Sequence, residues 1–267
     1  MQAIVLYLYV IVRSYCAWLW LRLCRWIQQP PRAILPTSEY RHKIVIIGDG
    51  FAAGYGDYIN FDSPGGLAKY LHAAMAQEAK IRHNWQVINR GIVDTDSSQW
   101  TPMADTKYFQ TVFSKKEYRD ADIVLVVVGS MDAQRSPPIE PEVTLRNIKS
   151  ICDALTKKGK RVAVGTLCHS DIKAINVKHT ATNKLLRDFC VDTQHDELPV
   201  MCAPDLAIPM VRRPEAKAFD GIHFNSSGYK QIAKDAMDVI QPLATAVEWT
   251  TWKKKLDGMH VDPALYD

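Results

Sequence analysis

Two short stretches hold the residues best able to do chemistry. One is "DGIHFNSSGY" (220–229), with Asp220 three residues before His223; the other is "GDGFAAG" (48–54), which follows the apolar run "KIVIIG". An aspartate at that spacing can hold its carboxylate against one imidazole nitrogen, leaving the other free to take a proton. The glycine-rich stretch has the form of a catalytic strand-to-helix turn. Where a serine would complete it, there is Gly50. Both stretches also have plainer uses. Gly48, Gly50 and Gly54 suit a tight turn, and a bonded Asp–His pair can simply fasten a loop.

These residues need elements to position them. "KIVIIG" (43–48), "WQVIN" (85–89), "DIVLVVVG" (122–129), "RVAVGTL" (161–167) and "LPVMCAPDL" (198–206) read as five strands. The first is a continuous apolar run, as a strand covered on both faces must be. The third is the most β-branched and is expected at the centre of the sheet. Helical periodicity lies between them, at about 65–79, 140–159 and 176–191, and again from Ser227 onward. Glu140 and Glu142 open the second of these helices, and lysines and Gly159 close it. Alternating strands and helices imply a parallel sheet between two helical layers. Side chains that act on ligands then gather at the carboxyl ends of the strands.

Four loops fall at those ends or just before the last helix: "GDGFAAGYGD" (48–57), "NRGIVDTDS" (89–97), "GSMDAQ" (129–134) and "DGIHFNSSGY". In this order the four resemble the signature blocks of the SGNH/GDSL hydrolase family, over residues from Lys43 to about Ile240. The resemblance implies a three-layer α/β/α, flavodoxin-like fold with about five parallel strands. It also implies hydrolysis of esters by a serine, a histidine base and an aspartate. The oxyanion would be held by the serine N–H, a glycine N–H and an asparagine side chain. On this resemblance Asp220 and His223 match the base pair, Gly91 the oxyanion glycine and Asp49 the residue before the nucleophile. Gly50 stands in the nucleophile position and Met131 in the asparagine position.

Loss of a triad serine costs about a million-fold in turnover, and loss of one oxyanion donor about a hundred- to a thousand-fold. Ser130, Thr95, Ser97 and Ser98 carry nearby hydroxyls, none of them where the family's nucleophile stands, and they read as turn residues. The pocket could still take an acyl or carboxylate ligand at Gly50, Gly91 and His223. Asn225-Ser226-Ser227 has the form of a glycosylation acceptor, with Ser226 or Ser227 better read as a helix cap.

Residues 1–28 form a separate unit. "QAIVLYLYVIVRSYCAWLWLRLCRWI" is apolar and aromatic, and no acidic residue precedes Glu39. A spanning helix needs about 20 apolar residues, so a single-pass transmembrane anchor is expected. Arg13 within it would be cheapest against a partner helix or a lipid phosphate. The proline-rich 29–42 reads as a linker, 43–245 as the domain and 246–267 as a tail. The acid-free, arginine-bearing start favours the mitochondrial inner membrane, with the endoplasmic reticulum as the alternative. Partners would be membrane lipids and other membrane-protein subunits.

The expected function is a catalytically inactive, membrane-anchored accessory subunit of a complex such as the respiratory chain or ATP synthase. The alternative is a tethered esterase with a non-standard nucleophile or a water-activating His–Asp dyad. A net charge of +4 and the absence of a basic aromatic helix argue against nucleic acid. No cofactor or metal motif is present, and the six cysteines, none in a CxxC pair, read as small buried hydrophobes.

Overall fold

A computed structural model describes residues 2–27, 40–61 and 65–257. Five parallel strands form one sheet in the order β2-β1-β3-β4-β5. They are β1 (Arg41–Gly48), β2 (Asn84–Gly91), β3 (Ile123–Val127), β4 (Arg161–Val164) and β5 (Val200–Cys202). The β-branched third run is central, as its composition predicts. Every residue of β3 is buried.

Helices cover both faces. They are α1 (Gln2–Ile27), α2 (Gly50–Ala53), α3 (Tyr55–Ile59), α4 (Gly66–Gln77), α5 (Tyr108–Ser114), α6 (Lys116–Arg119), α7 (Pro141–Thr156), α8 (Lys173–Asp192) and α9 (Ser226–Asp257). Alternate strand residues face two separate cores. Ile44, Ile46, Ile123 and Leu125 pack toward α4 and α9. Val45, Ile47, Val124 and Val126 pack toward α5, α7 and α8. That division is the pleat of a doubly covered sheet.

Several expected boundaries move. The last helix runs through residue 245 to Asp257, so residues 246–257 belong to the domain. Glu248 explains this extension. It is buried and accepts the N–H groups of Arg82 and His83 and the Trp85 indole N–H, so the helix end is tied to the start of β2. The helix cap is Asn225, not Ser226 or Ser227: its Oδ1 accepts from Ser227 N and Gly228 N. Its Nδ2 donates to Glu215 O and Lys217 O, so the amide a glycan would need is already engaged. The linker expected at 29–42 lies mostly outside the described residues; Arg41 and His42 begin β1. All six cysteines are free, with Cys16 exposed, Cys202 half-buried and the other four buried.

The N-terminal helix forms where the anchor is expected. Among the described residues, however, no helix is long and apolar enough to cross a membrane. Instead α1 packs along the domain. Ala17 meets Ile59 and Ala218, while Leu21 and Cys24 meet Tyr58. Arg13, Ala17, Leu21 and Cys24 recur at helical spacing and form that inner face. Arg13 donates to Ile59 O at 3.2 Å, and its guanidinium lies 4.1 Å from the centre of the Phe219 ring. The arginine is therefore met within its own chain.

Glycine is required where backbones close on each other. At Gly91 an added Cβ would lie 2.2 Å from Ala53 N, so β2 can pass α2 only without a side chain. Gly91→Ala is therefore expected to lower stability by about 1–3 kcal/mol or more. Chemical denaturation checks this; an unchanged midpoint would mean that α2 moves aside freely.

Candidate active site

The carboxyl ends of β1, β2 and β3 and the loop before α9 enclose a cavity of about 150 Å³, lined by Asp49, Gly50, Phe51, Tyr55, Val93, Asp94, Ser130, Met131 and His223. Its base is Asp49, which has no exposed surface. One oxygen of Asp49 accepts Phe51 N at 3.0 Å and so caps α2; the other accepts Ser130 N at 3.0 Å, across the sheet from it. Burial pushes the carboxyl up to about 6, although the Ser130 and Phe51 N–H groups pull the other way.

The histidine is placed by its own loop. Asp220 Oδ2 lies 2.6 Å from His223 Nδ1, and Asp220 Oδ1 accepts the N–H groups of Ile222 and His223. Burial alone would raise the Asp220 pKa, but the His223 contacts and these two N–H bonds together outweigh it and lower it. The imidazole lies against Phe51 and Tyr55, with ring centres 4.8 and 5.0 Å apart. Its Nε2 faces Gly50: a Cβ built there would be 2.8 Å from that nitrogen. A side chain at position 50 would thus grow straight toward the base.

The turn does not itself demand glycine at position 50. Gly48 and Gly54 have positive φ and meet backbone atoms, whereas Gly50 has neither constraint. Of the atoms nearest its absent Cβ, the one within 3 Å belongs to a side chain, the His223 imidazole, and not to backbone. The plainer reading of "GDGFAAG" therefore holds for Gly48 and Gly54 but not for Gly50.

Of the residues singled out in the sequence, Asp49, Gly50, Ser130, Met131 and His223 line the cavity, and Asp220 stands behind the imidazole. Gly91 does not line the cavity: its N–H donates to Asn89 Oδ1 at 2.9 Å and its Cα is pressed against Ala52 and Ala53. The same loop reaches the cavity two and three residues later, through Val93 and Asp94. Asp94 has φ +61°, a conformation that glycine adopts more readily, and Arg135 holds it at Oδ1 (3.0 Å) and at its carbonyl oxygen (2.7 Å). Sequence reasoning fixed on the glycine and passed over an aspartate in a left-handed turn. Phe51, Tyr55 and Val93 carry no chemistry that spacing could reveal.

Of the other hydroxyls, Thr95, Ser97 and Ser98 are engaged away from the cavity. Thr95 Oγ1 donates to Ile92 O and accepts the Trp100 indole N–H. Ser97 Oγ donates to the buried Asp132, and Ser98 Oγ to Asp96. Ser130 lines the cavity, but its hydroxyl is covered; it is close enough to Asp49 to lower that carboxyl's pKa, without hydrogen-bonding geometry. Among the described residues no cluster of three histidine, cysteine or acidic side chains could hold a metal ion.

Residues 46–231, more than half of the chain, match the GDSL-like Lipase/Acylhydrolase family. The chain belongs to that family. Solved structures share the fold at low identity. A lipase/acylhydrolase from Enterococcus faecalis is 22% identical, with a TM-score of 0.57, over 75% of this chain and 96% of that one. A family 3 carbohydrate esterase from Clostridium thermocellum is 16% identical, with a TM-score of 0.61, over 78% and 99%. An acetylxylan esterase from Geobacillus stearothermophilus, solved as a catalytic mutant, is 14% identical, with a TM-score of 0.57, over 74% and 93%. No curated protein matches the chain by sequence.

The Asp49 environment sets a pH dependence. Its folded pKa, about 6, lies above the ordinary 3.8. The protonated form therefore favours the fold, and this contribution is complete below pH 4 and lost as pH rises through 6. Asp49→Asn has no such titration. The stability of the natural protein relative to this variant should fall by about 2 kcal/mol between pH 4 and 7. Urea unfolding at several pH values checks it; parallel profiles would contradict it.

Proposed function

We propose that this GDSL domain binds acyl or carboxylate ligands beside His223 without forming an acyl-enzyme, and that it serves as a membrane-associated binding or structural subunit. One observation carries this reading: the space opposite His223 Nε2 is bounded by Gly50, which has no atom to attack with. Met131 supports it, since a thioether offers no N–H or O–H to a developing oxyanion. The cavity that Gly50, Ser130, Met131 and His223 line has the volume for a carboxylate or ester carbonyl, which an Nε2–H of His223 could meet as a hydrogen-bond donor.

The membrane part of the reading comes from the apolar, acid-free N-terminus. A mitochondrial inner-membrane complex is the assembly we propose for it. Arg13 no longer argues for a partner helix, because Ile59, Phe61 and Phe219 already surround it. Co-purification of a fixed set of subunits in mild detergent tests the assembly.

A second reading has its own observation. The Asp220–His223 pair is fully formed, and Nε2 opens on the cavity. Such a dyad can draw a proton from water, which would then attack an ester directly. Activated short-chain esters separate the two. The binding reading expects the same background turnover from the natural protein and from His223→Ala. A drop of about a hundred-fold or more in the variant would establish the hydrolase instead.

A further inference from the structure

The helix α1 is apolar on its outer face as well as on the face that meets the domain. Arg13 turns toward the domain, while Leu8, Val12, Tyr15, Leu19 and Leu23 turn outward, each more than 40% exposed. A helix at a water-facing surface shows charge outward and apolar residues inward. An exposed apolar patch of this extent marks contact with a partner or a membrane.

Three observations select a lipid surface. Trp18 is exposed, and the Arg22 guanidinium lies 4.2 Å from its ring centre. An indole and an arginine side by side suit the headgroup level, where amphipathic rings and cations collect. Beyond the inward-turned Arg13, the sequence carries Arg22, Arg25 and Arg32 before its first acidic residue, Glu39, a charge pattern that complements anionic lipid. The patch also continues past the helix. Tyr9 meets the Phe219 ring, Arg13 lies over Phe61 and Phe219, and Ile222 is about half exposed next to His223. At the other end of the helix, Leu21 and Cys24 pack in one cluster with Val93, which lines the cavity. One continuous surface therefore holds the helix and flanks the cavity. The exposed pair Trp249 and Trp252 is elsewhere, on the part of α9 tied to the starting ends of the strands.

We infer that α1 lies in the plane of an anionic membrane surface, outer face among the acyl chains, and brings the cavity to the bilayer. The ligand of the cavity is then drawn from the membrane: the acyl ester or carboxylate of a lipid. A helix with one face docked along its own domain lies beside that domain and does not pass away from it through the bilayer. The inference rests on the membrane part of the proposed function and narrows it to an in-plane helix.

The test uses the full chain with a different epitope tag at each end. It is added from dilute detergent to sealed phosphatidylcholine vesicles with or without phosphatidylglycerol, floated, and then treated with external protease. The expected result is flotation that strengthens with the anionic lipid, with both tags cut from the same molecules. Val12→Asp combined with Leu19→Asp should lower the vesicle-bound fraction at least ten-fold without changing the melting temperature. Flotation with one tag protected would overturn the in-plane helix and leave the membrane reading standing. Absence of flotation would overturn both, whereas a bound fraction that ignores the double substitution would overturn the in-plane helix and leave the membrane reading standing.

Discussion

Asp49 joins two strand ends with one buried carboxylate. One oxygen fixes the start of α2 through Phe51 N, and the other fixes the loop after β3 through Ser130 N. That bridge adds to the backbone bond from Asp49 N to Val127 O in holding the turn that carries Gly50 against the loop that carries Met131. A carboxylate removed from water is expensive unless N–H groups replace its hydration. Here they replace it in part, which is why its pKa rises to about 6 and not further. The corner is thus preorganised, at some cost to stability near neutral pH.

Against that fixed corner, the loop before α9 delivers an imidazole. Asp220 orients it by accepting both its Nδ1–H and the backbone N–H groups of the same turn. This is the arrangement by which a carboxylate sets the tautomer of a histidine base. What it faces is a position where any Cβ would crowd the imidazole, on a backbone that would otherwise accept one. The orienting half of a hydrolytic site is therefore assembled against a position that has no side chain.

Much of the architecture was legible from periodicity. The five apolar runs gave five strands, and the most β-branched run gave the centre of the sheet, because burial on both faces leaves a composition that partial burial does not. The Asp220–His223 spacing gave its own geometry because both residues share one turn. Long-range closure was not legible. Glu248 extends the domain because it meets Arg82, His83 and Trp85, more than 160 residues away in the chain. Gly91 looked like a donor by its type, but its N–H is spent locally on Asn89, and Asp94 occupies the cavity wall instead. The N-terminal helix was legible as apolar; which of its faces met the domain depended on Arg13 finding Ile59 and Phe219.

The account stands on the absence of a reactive side chain opposite His223. Purified protein incubated with a fluorophosphonate, beside a serine esterase as a labelled control, tests this by intact-mass and peptide analysis. The account predicts labelled control and an unmodified mass for this protein. A covalent adduct on any side chain lining the cavity would contradict it.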